Sequence, residues 1–574
     1  MKNNIRTFTL SLAAVFVSAC GILDEEPTVI CADTFYTTEQ EAQYALNGVY
    51  GAINSYQFYG QHYSLELSLN DDTCFYRSSN TSNILMMNTY DSGTAEIYRV
   101  WTTLYAGINN ANAFLEAIEK TEFDKDGQMR VQARFLRAFY YYYLAQCWGS
   151  VPLRLSSTQN YKEASYPATK EEDIFKWIVK EMEDCIEKVD DSLEGAPSKL
   201  TKTAMQGFLA RVYLFKAGAR VNGTPEEKKE DYKQAMLLCK SVMDSKKHQL
   251  NPDYSKVFIN MISDVYDRTY YESMWEADFI GNRTSPDYYS NGRIGDLNGL
   301  SSTGAINYEN FKCNYAYGMF ANTPKIWDMY MKDDRTDDET GLAFVTDKRQ
   351  EWNIPPYNYA GYSGALELYP YGGDPADKRP LIASIDKTPY VYGSISTNED
   401  PLTLIAGRNT GKFRRETCYE EQQTSKALYT GINFPILRYS DVLLMYAEAA
   451  NEYEGAPSQE AYDAVKAVRD RAGIKTKPLS DYSDQDIFRE FVRNERGREL
   501  CFESLRKYDL IRWGIYVTEM NRLGEQAEDP RWSGHGTAAF CSRIGASVQP
   551  KHVYLPIPDL ELGVNNKIKQ NPLW

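Results

Sequence analysis

Residues 127–153 read GQMRVQARFLRAFYYYYLAQCWGSVPL, and this stretch decides the fold class of the chain. Its apolar residues recur every three or four positions, a spacing that places them on one face of a helix. That face consists of Met129, Ala133, Leu136, Tyr140, Tyr143 or Leu144, and Cys147. Gly149 and Pro152 predict an end at residue 148, because glycine favours a helix end and proline cannot continue the hydrogen-bond ladder. At a rise of about 1.5 Å per residue, this core helix would be about 33 Å long.

The four consecutive tyrosines at 140–143 predict that other helices surround this one. Four adjacent side chains cannot share one helix face, so their rings must pack in several directions. Similar apolar spacing predicts helices at 38–53, 95–118, 170–189, 201–217, 232–243, 440–454, 459–472 and 484–502. We therefore predict a mainly α fold built from tetratricopeptide-like helical pairs.

Residues 248–435 interrupt the helical pattern with a segment rich in Gly, Asn, Asp, Tyr and Pro. Long segments without regular structure are uncommon in compact proteins and usually serve binding. We therefore predict a large irregular insertion that carries much of a ligand site. The predicted organisation is a leader at 1–19, an anchor and tether at 20–37, an N-terminal helical part at 38–247, the insertion at 248–435 and a C-terminal helical part at 436–574.

The N-terminus predicts export and lipid attachment. Lys2 and Arg6 precede an apolar run from Phe8 to Val17, which is too short for a permanent membrane helix. The small residues before Cys20 are typical of a lipoprotein cleavage site, and the Cys20 thiol would then carry a diacylglyceryl group. Burial of acyl chains, at about 0.8 kcal/mol per methylene, would hold the chain on a membrane surface. An ordinary cleaved signal with a coincidental cysteine is the alternative.

Composition and spacing argue against several classes of function. The net charge of −16 disfavours a nucleic-acid partner. The four histidines lack the spacing of a zinc site, and the ten cysteines contain no C-x-x-C pair, so we interpret most cysteines as small buried apolar residues. Residues 332–340, KDDRTDDET, resemble a calcium loop only loosely, because Arg335 takes the place of an oxygen ligand and the expected glycine is missing. We therefore predict no cofactor.

Four stretches, in order along the chain, strongly resemble the SusD/RagB family of surface lipoproteins from Bacteroidetes. The first is R-x-x-R-A-F-Y-Y-Y-x-L followed by W-G-x-V-P-L. The others are LTKTAMQGFLARVYLFKAG at 200–218, FPILRYSDVLLMYAEAAN at 434–451, and VRNERGRELCFESLRKYDLIRWG at 492–514 with the closing YLPIPDLELGVNNKIKQNPLW. The resemblance covers nearly the whole chain after the leader.

The resemblance implies a binding protein anchored by lipid in the outer membrane and facing the cell exterior, and not an enzyme. Such a protein captures an oligosaccharide and delivers it to a SusC-like TonB-dependent transporter, with no bond broken. A peptide-binding member of the RagB branch is one alternative, and a surface glycosidase is another. Family members can also carry structural calcium, which this sequence does not support.

Candidate ligand residues lie in two stretches that interleave aromatic rings with Asp, Asn and Arg, as a glycan site requires. The first stretch is the loop at 70–91, and the resemblance implies that this loop contributes ligand contacts. The second lies in the insertion. The candidates are Asp71, Asp72, Tyr76, Arg77, Asn83, Tyr90, Trp275, Tyr288, Tyr289, Tyr315 and Tyr317.

The charged residues of the C-terminal motifs are interpreted as structural. Interleaved arginines and carboxylates predict ion pairs that hold the helical layers together. These residues are Arg438, Glu448, Glu495, Arg496, Arg498, Glu499, Arg506, Asp509 and Arg512. Glu495 and Glu499 share a helix face and could form an acid and base pair, but nearby arginines favour permanently ionised carboxylates.

Overall fold

The helices of the computed structural model form most of its regular structure. The model describes residues 36–77, 83–158, 160, 165–279, 292–301, 306–308, 311–313, 316–331, 335–336, 343–344, 347–355, 367–370, 378–381, 391–392, 408–415, 429–528 and 538–574. The helices are α1 (Glu39–Tyr50), α2 (Ala95–Ile118), α3 (Gln128–Trp148), α4 (Glu171–Lys188), α5 (Lys202–Ala217), α6 (Pro225–Ser245), α7 (Tyr254–Ile262), α8 (Pro324–Met331), α9 (Lys348–Asn353), α10 (Tyr439–Glu454), α11 (Gln459–Arg471), α12 (Gln485–Leu500), α13 (Arg506–Arg512), α14 (Tyr516–Gln526), α15 (Ala538–Ser547) and α16 (Asp559–Val564). The predicted mainly α fold is confirmed.

The strands are short and pair in small antiparallel sheets. They are β1 (Cys74–Tyr76), β2 (Val151–Pro152), β3 (Ala168–Thr169), β4 (Ser273–Ala277), β5 (Ile306–Tyr308), β6 (Phe311–Cys313), β7 (Phe320–Asn322), β8 (Arg335–Thr336), β9 (Ala343–Phe344), β10 (Glu367–Pro370), β11 (Lys378–Leu381), β12 (Val391–Tyr392) and β13 (Phe434–Arg438). The pairs are β1 with β7, β2 with β3, β4 with β13, β5 with β6, β10 with β11, and β9 with both β8 and β12. Most of them connect segments of the predicted insertion, and β1 and β13 join it to the flanking helical parts.

Helix α3 lies at the centre of the N-terminal helices, as its sequence predicts. All four tyrosines at 140–143 are buried, and each hydroxyl has a different hydrogen-bond partner. Tyr140 donates to the backbone oxygen of Val49 on α1, and the Tyr143 hydroxyl lies 2.5 Å from the hydroxyl of Tyr59. The rings of this run therefore pack against elements on several sides of the helix.

The end of α3 is fixed by the closing motif of the chain. Gly149 has a φ of +75°, and a Cβ atom there would lie 2.6 Å from the ring of Tyr554. The indole nitrogen of Trp148 donates to the backbone oxygen of Pro556 at 2.9 Å, and the amide of Leu555 donates to the oxygen of Cys147 at 2.7 Å. Two motifs that are 400 residues apart thus form one packed unit.

Helices α1 to α6 pack in succession, and the series then continues with α10 and not with the next helix in sequence. Helix α10 packs on α6 and also contacts α11 and α12. The guanidinium of Arg211 on α5 joins the two halves, because it donates to the backbone oxygen of Ile436 at 2.7 Å and to the carboxylate of Asp441 at 2.6 Å. The helical array is therefore continuous although a long segment separates α6 from α10, and Trp275 of that segment packs on Phe139 of α3.

The predicted ion pairs form buried networks. Glu499 lies within 3.0 Å of the guanidinium groups of Arg349, Arg438 and Arg471, and Arg438 also contacts Glu503. Burial alone would raise the pKa of Glu499, but these arginines hold it well below its ordinary value. The structural interpretation of this carboxylate is confirmed.

Glu495 is ionised by the same kind of surroundings. Burial alone would raise the pKa of Glu495, but the charges of Arg349, Arg469 and Arg498 lower it to about 2. A general acid near neutral pH needs a raised pKa. The pair of Glu495 and Glu499 therefore lacks the electrostatic property on which the alternative acid and base interpretation depends.

A second network includes Glu448, Arg496, Asp509 and Arg512 of the C-terminal motifs, whereas Arg506 pairs with Asp72 at 2.7 Å. Arg512 donates to the carboxylates of Glu448 and Asp509, and Arg496 donates to Asp509 at 2.9 Å. The indole of Trp513 donates to Glu448 at 2.8 Å. These contacts join α10, α12 and α13.

The cysteines in the parts of the chain that the structure describes behave as apolar residues. Six of them are free and buried, at positions 74, 147, 185, 239, 501 and 541. Burial raises the pKa of the Cys147 thiol to about 11, so this thiol stays protonated at neutral pH.

Candidate functional site

Two π-helical segments follow α1 and lead into β1. They cover Tyr56–Gly60 and His62–Leu67. π-Helices are rare and often occur at functional sites, because the wider turn redirects side chains. Here Phe58 and Tyr63 pack on the α3 ring of Tyr143, with ring centroids 4.9 and 5.0 Å apart. Their neighbours on the same segments are turned towards a cavity.

This cavity has a volume of about 580 Å³ and is partly open to solvent. Its lining comes from the π-helical segments, the end of β1, the loop before α2, and the first turns of α2. The lining residues are Tyr56, Gln61, His62, Glu66, Tyr76, Asn83, Ile84, Leu85, Glu96 and Arg99. The cavity therefore combines rings, amides and charged groups on a rigid helical base.

The carboxylate of Glu66 is the centre of the polar wall. It accepts hydrogen bonds from Gln61 Nε2 at 2.8 Å, His62 Nδ1 at 2.5 Å and Asn83 Nδ2 at 3.3 Å. Burial alone would raise the pKa of Glu66, but these hydrogen bonds, that from His62 first, lower it below its ordinary value. Glu66 thus remains an ionised acceptor that fixes the orientation of its three neighbours.

Tyrosine rings lie beside this polar wall. The ring of Tyr56 meets the edge of His62 at a centroid distance of 5.1 Å and lies 6.0 Å from the ring of Tyr429. The guanidinium of Arg293 lies 5.6 Å from the centroid of Tyr317, which is 38% exposed. Burial raises the pKa of Tyr56 to about 12 although Arg293 hydrogen-bonds to its hydroxyl and opposes the shift. These rings provide flat apolar faces next to paired donors and acceptors.

Four predicted site residues lie at or near this cavity. Tyr76 and Asn83 line it, and Tyr317 is connected to it through Arg293 and Tyr56. Arg77 lies at the end of β1, where its amide donates to Met319 and its guanidinium lies 3.3 Å from the side-chain oxygen of Asn409. The pairing of β1 with β7 places these residues together. Their role in ligand contact stays a prediction.

The two adjacent aspartates of the predicted loop have a structural position instead. Asp72 is fully buried and pairs with Arg506 at 2.7 Å and with Lys325 at 2.6 Å. Asp71 is 1% exposed and accepts hydrogen bonds from the backbone and hydroxyl of Thr73. Neither carboxylate can reach a ligand, so the prediction is corrected for both. Burial and the neighbouring Asp72 raise the pKa of Asp71 to about 7.

Two predicted rings are also in the interior. Tyr90 is 2% exposed and stacks on Trp574 at a centroid distance of 5.5 Å. Trp275 is fully buried on β4, and its ring lies 4.7 Å from that of Phe139. Both rings fill the core, and the prediction that they contact a ligand is corrected.

Several other predictions concern residues outside the part of the chain that the structure describes. These are the lipidation residue Cys20 and the candidate ligand residues Tyr288, Tyr289 and Tyr315. The acidic stretch at 332–340 lies outside it as well, apart from the backbone of 335–336. In the described ranges, no group of three or more His, Cys, Asp or Glu side chains is arranged to hold a metal ion.

The sequence interpretation missed the residues that form the polar wall and one of its aromatic faces. They are Tyr56, Gln61, His62, Glu66, Arg293 and Tyr429. A signal was present in YQFYGQHYSLEL at 56–67, where rings alternate with polar groups immediately before the predicted loop. His62 is one of the four histidines that lack the spacing of a zinc site, and in the structure it donates a hydrogen bond to Glu66.

Comparisons with known proteins agree over the full length of the chain. The family model described as "SusD family" matches residues 271–574, and the model described as "Starch-binding associating with outer membrane" matches residues 23–214. SusD-like protein P2 from Formosa agariphila is 25% identical, and the alignment covers 100% of this chain and 99% of the relative.

Solved structures show the same architecture. A SusD homolog from Bacteroides thetaiotaomicron superimposes with a TM-score of 0.79 at 25% identity, covering 95% of this chain and 98% of that one. A laminarin-binding SusD-like protein gives a TM-score of 0.66 at 18% identity, covering 94% and 100%. None of the helices in the described ranges has the length and apolar character needed to cross a membrane. The model described as "SusD family" matches more than half of this chain, and the chain therefore belongs to the SusD family.

Proposed function

We propose that this chain is an outer-membrane-associated receptor that holds an oligosaccharide in the cavity beside Glu66. The observation that carries this proposal is the placement of a fixed amide, imidazole and carboxylate wall next to tyrosine rings. Sugars present hydroxyls that need oriented hydrogen-bond partners and C–H faces that pack on flat rings. The laminarin-binding protein of the same fold and the starch-binding family model support a glycan as the ligand.

The receptor binds its ligand without breaking a bond. Glu66 has a lowered pKa and is surrounded by donors, so it is a poor proton donor at neutral pH. Glu495 and Glu499 are held in buried ion pairs. Capture followed by delivery to a SusC-like TonB-dependent transporter completes the proposal, with acylation of Cys20 as the attachment to the outer membrane.

The test is calorimetric titration of the purified chain, beginning after Cys20, with a panel of neutral oligosaccharides. For the oligosaccharide that binds best, replacement Tyr56→Ala should weaken affinity by about tenfold or more, because it removes a ring between Tyr429 and His62. Tyr44→Ala is the matched control, since Tyr44 is 55% exposed on α1 and does not line the cavity.

Equal affinities of the two variants and the unmodified protein would contradict the proposed site. Circular dichroism of each variant shows whether the helical array is intact. Incubation of the same oligosaccharides with the protein, followed by a reducing-end assay, should show no release above buffer. Cleavage that exceeds buffer would instead favour a glycosidase.

A further inference from the structure

The hydrogen bonds to Glu66 determine which atoms the cavity wall can offer to a ligand. An ionised carboxylate only accepts, so Gln61 must turn its Nε2 towards Glu66 and its carbonyl Oε1 away from it. For the same reason His62 Nδ1 donates its hydrogen to Glu66. The Gln61 carbonyl oxygen therefore remains as an acceptor whose orientation Glu66 fixes.

This acceptor, Gln61 Oε1, has no hydrogen-bond partner among the described residues. It is shielded from solvent, and Gln61 is only 5% exposed. A buried polar atom without a partner is unfavourable, so a ligand that brings a donor to it gains affinity. A hydroxyl group is such a donor, whereas an ionised carboxylate or sulfate brings only acceptors.

The charges around the cavity also disfavour an anionic ligand. The lining within the described ranges contains two carboxylates, Glu66 and Glu96, and one guanidinium, that of Arg99, which lies 3.8 Å from Glu96. The nearby Arg293 is paired with Asp296, its Nε atom 2.7 Å from the carboxylate. An anionic sugar would therefore approach an ionised carboxylate with no uncompensated cation in this lining.

From these observations we infer that the cavity selects neutral oligosaccharides and rejects glycans that carry uronate or sulfate groups. The inference rests on the proposed function and names the ligand class of the same site. Selection comes from the orientation that Glu66 imposes on the Gln61 amide, together with the charge of Glu66.

The experiment compares neutral gluco-oligosaccharides and oligogalacturonates of equal length by calorimetry at pH 7.5 and fixed ionic strength. The neutral ligand should bind about tenfold or more tightly than the anionic one. Glu66→Gln should reduce this ratio severalfold, because the charge is lost and the amide of Gln61 becomes free to present a donor. Glu122→Gln is the matched control for net charge, since Glu122 is 86% exposed and lies outside the cavity.

The possible results are distinguishable. An oligogalacturonate that binds as tightly as the neutral ligand, and loses affinity in Tyr56→Ala, would overturn the inference and leave the proposed function standing. Binding of neither class would remove both. An unchanged ratio in Glu66→Gln would overturn the role of Glu66 in selecting the ligand.

If Glu66→Gln does not fold, Gln61→Leu tests the same point. It should weaken the neutral ligand and leave the anionic one nearly unaffected. Equal loss for both ligands would contradict the inference.

Discussion

At the scale of single residues, the buried carboxylates of this chain differ in whether their surroundings lower or raise the pKa. Glu499 contacts three arginines and is fully buried, whereas Asp71 is buried beside another aspartate. The sequence predicts an ion pair for Glu499 and a ligand contact for Asp71. Asp72 and its partner Arg506 are 434 positions apart, so only the fold shows which carboxylate is paired and which is not.

Replacement Glu499→Gln should destabilise the protein by about 3–5 kcal/mol at pH 7, because the arginines would remain buried without their counterion. The contribution of Glu499 is present above its unfolded pKa near 4.5 and is lost as the pH falls towards its lowered folded pKa. Urea unfolding at pH 7 and pH 4 measures both effects. Glu490→Gln is the control, since Glu490 pairs with Arg493 at the surface and is 61% exposed. Equal effects of the two changes would contradict the role of burial.

Replacement Asp71→Asn should stabilise the protein at pH 8. The folded pKa of about 7 lies above the ordinary 3.8, so the unfolded chain loses its proton first and stability falls as the pH rises between these values, by at most about 1.4 kcal/mol per pH unit. Asparagine keeps the oxygen that accepts from Thr73 and has no charge to desolvate. The difference in unfolding free energy between variant and parent should grow from pH 4 to pH 7 and then level off. A difference independent of pH would refute the assignment.

At the scale of elements, the long helices were predictable and the short strands were not. Helix α1 begins with a capping box of Thr38 and Glu41 inside the predicted range 38–53, and α3 ends at Trp148 as Gly149 predicts. Helix periodicity is a local property, so the sequence contains it. The pairing of β1 with β7 brings residue 76 opposite residue 320, and no local pattern specifies such a partner. For this reason the sequence predicts only some of the residues that line the cavity.

Replacement Gly149→Ala tests the packing of α3 against the C-terminal motif. Alanine at this positive φ is strained, and its Cβ would also overlap the ring of Tyr554. Gly455→Ala is the comparison, because Gly455 has a φ of +80° and a ψ of 6° at the end of α10 with open space around it. The comparison variant should cost about 1 kcal/mol from backbone strain. Gly149→Ala should cost about 1–3 kcal/mol more, because its ψ of −110° is less accessible to alanine and its Cβ overpacks against Tyr554. Denaturant midpoints compare the two, and equal shifts would contradict the tight packing of Gly149.

At the scale of the whole molecule, membrane attachment is proposed to depend on a single residue. Replacement Cys20→Ala should move the protein from the membrane fraction to the soluble fraction, because the described ranges contain no membrane-crossing helix and the acyl chains would be lost. Fractionation of cells, with incorporation of labelled palmitate as a second readout, measures the change. Cys31→Ala serves as the control and should stay with membranes. Retention of the Cys20 variant on membranes would refute acylation as the anchor.

The contacts of α5 and α6 with α10 also determine how early during synthesis the N-terminal helices can complete their packing. Arg211 meets Asp441 only when 230 further residues have been added to the growing polypeptide. Until then the nascent N-terminal half carries a cation without its counterion and an apolar helix face without its cover. Ribosomal products that stop before α10 are therefore expected to be substrates for chaperones and proteases, so that only full-length copies accumulate.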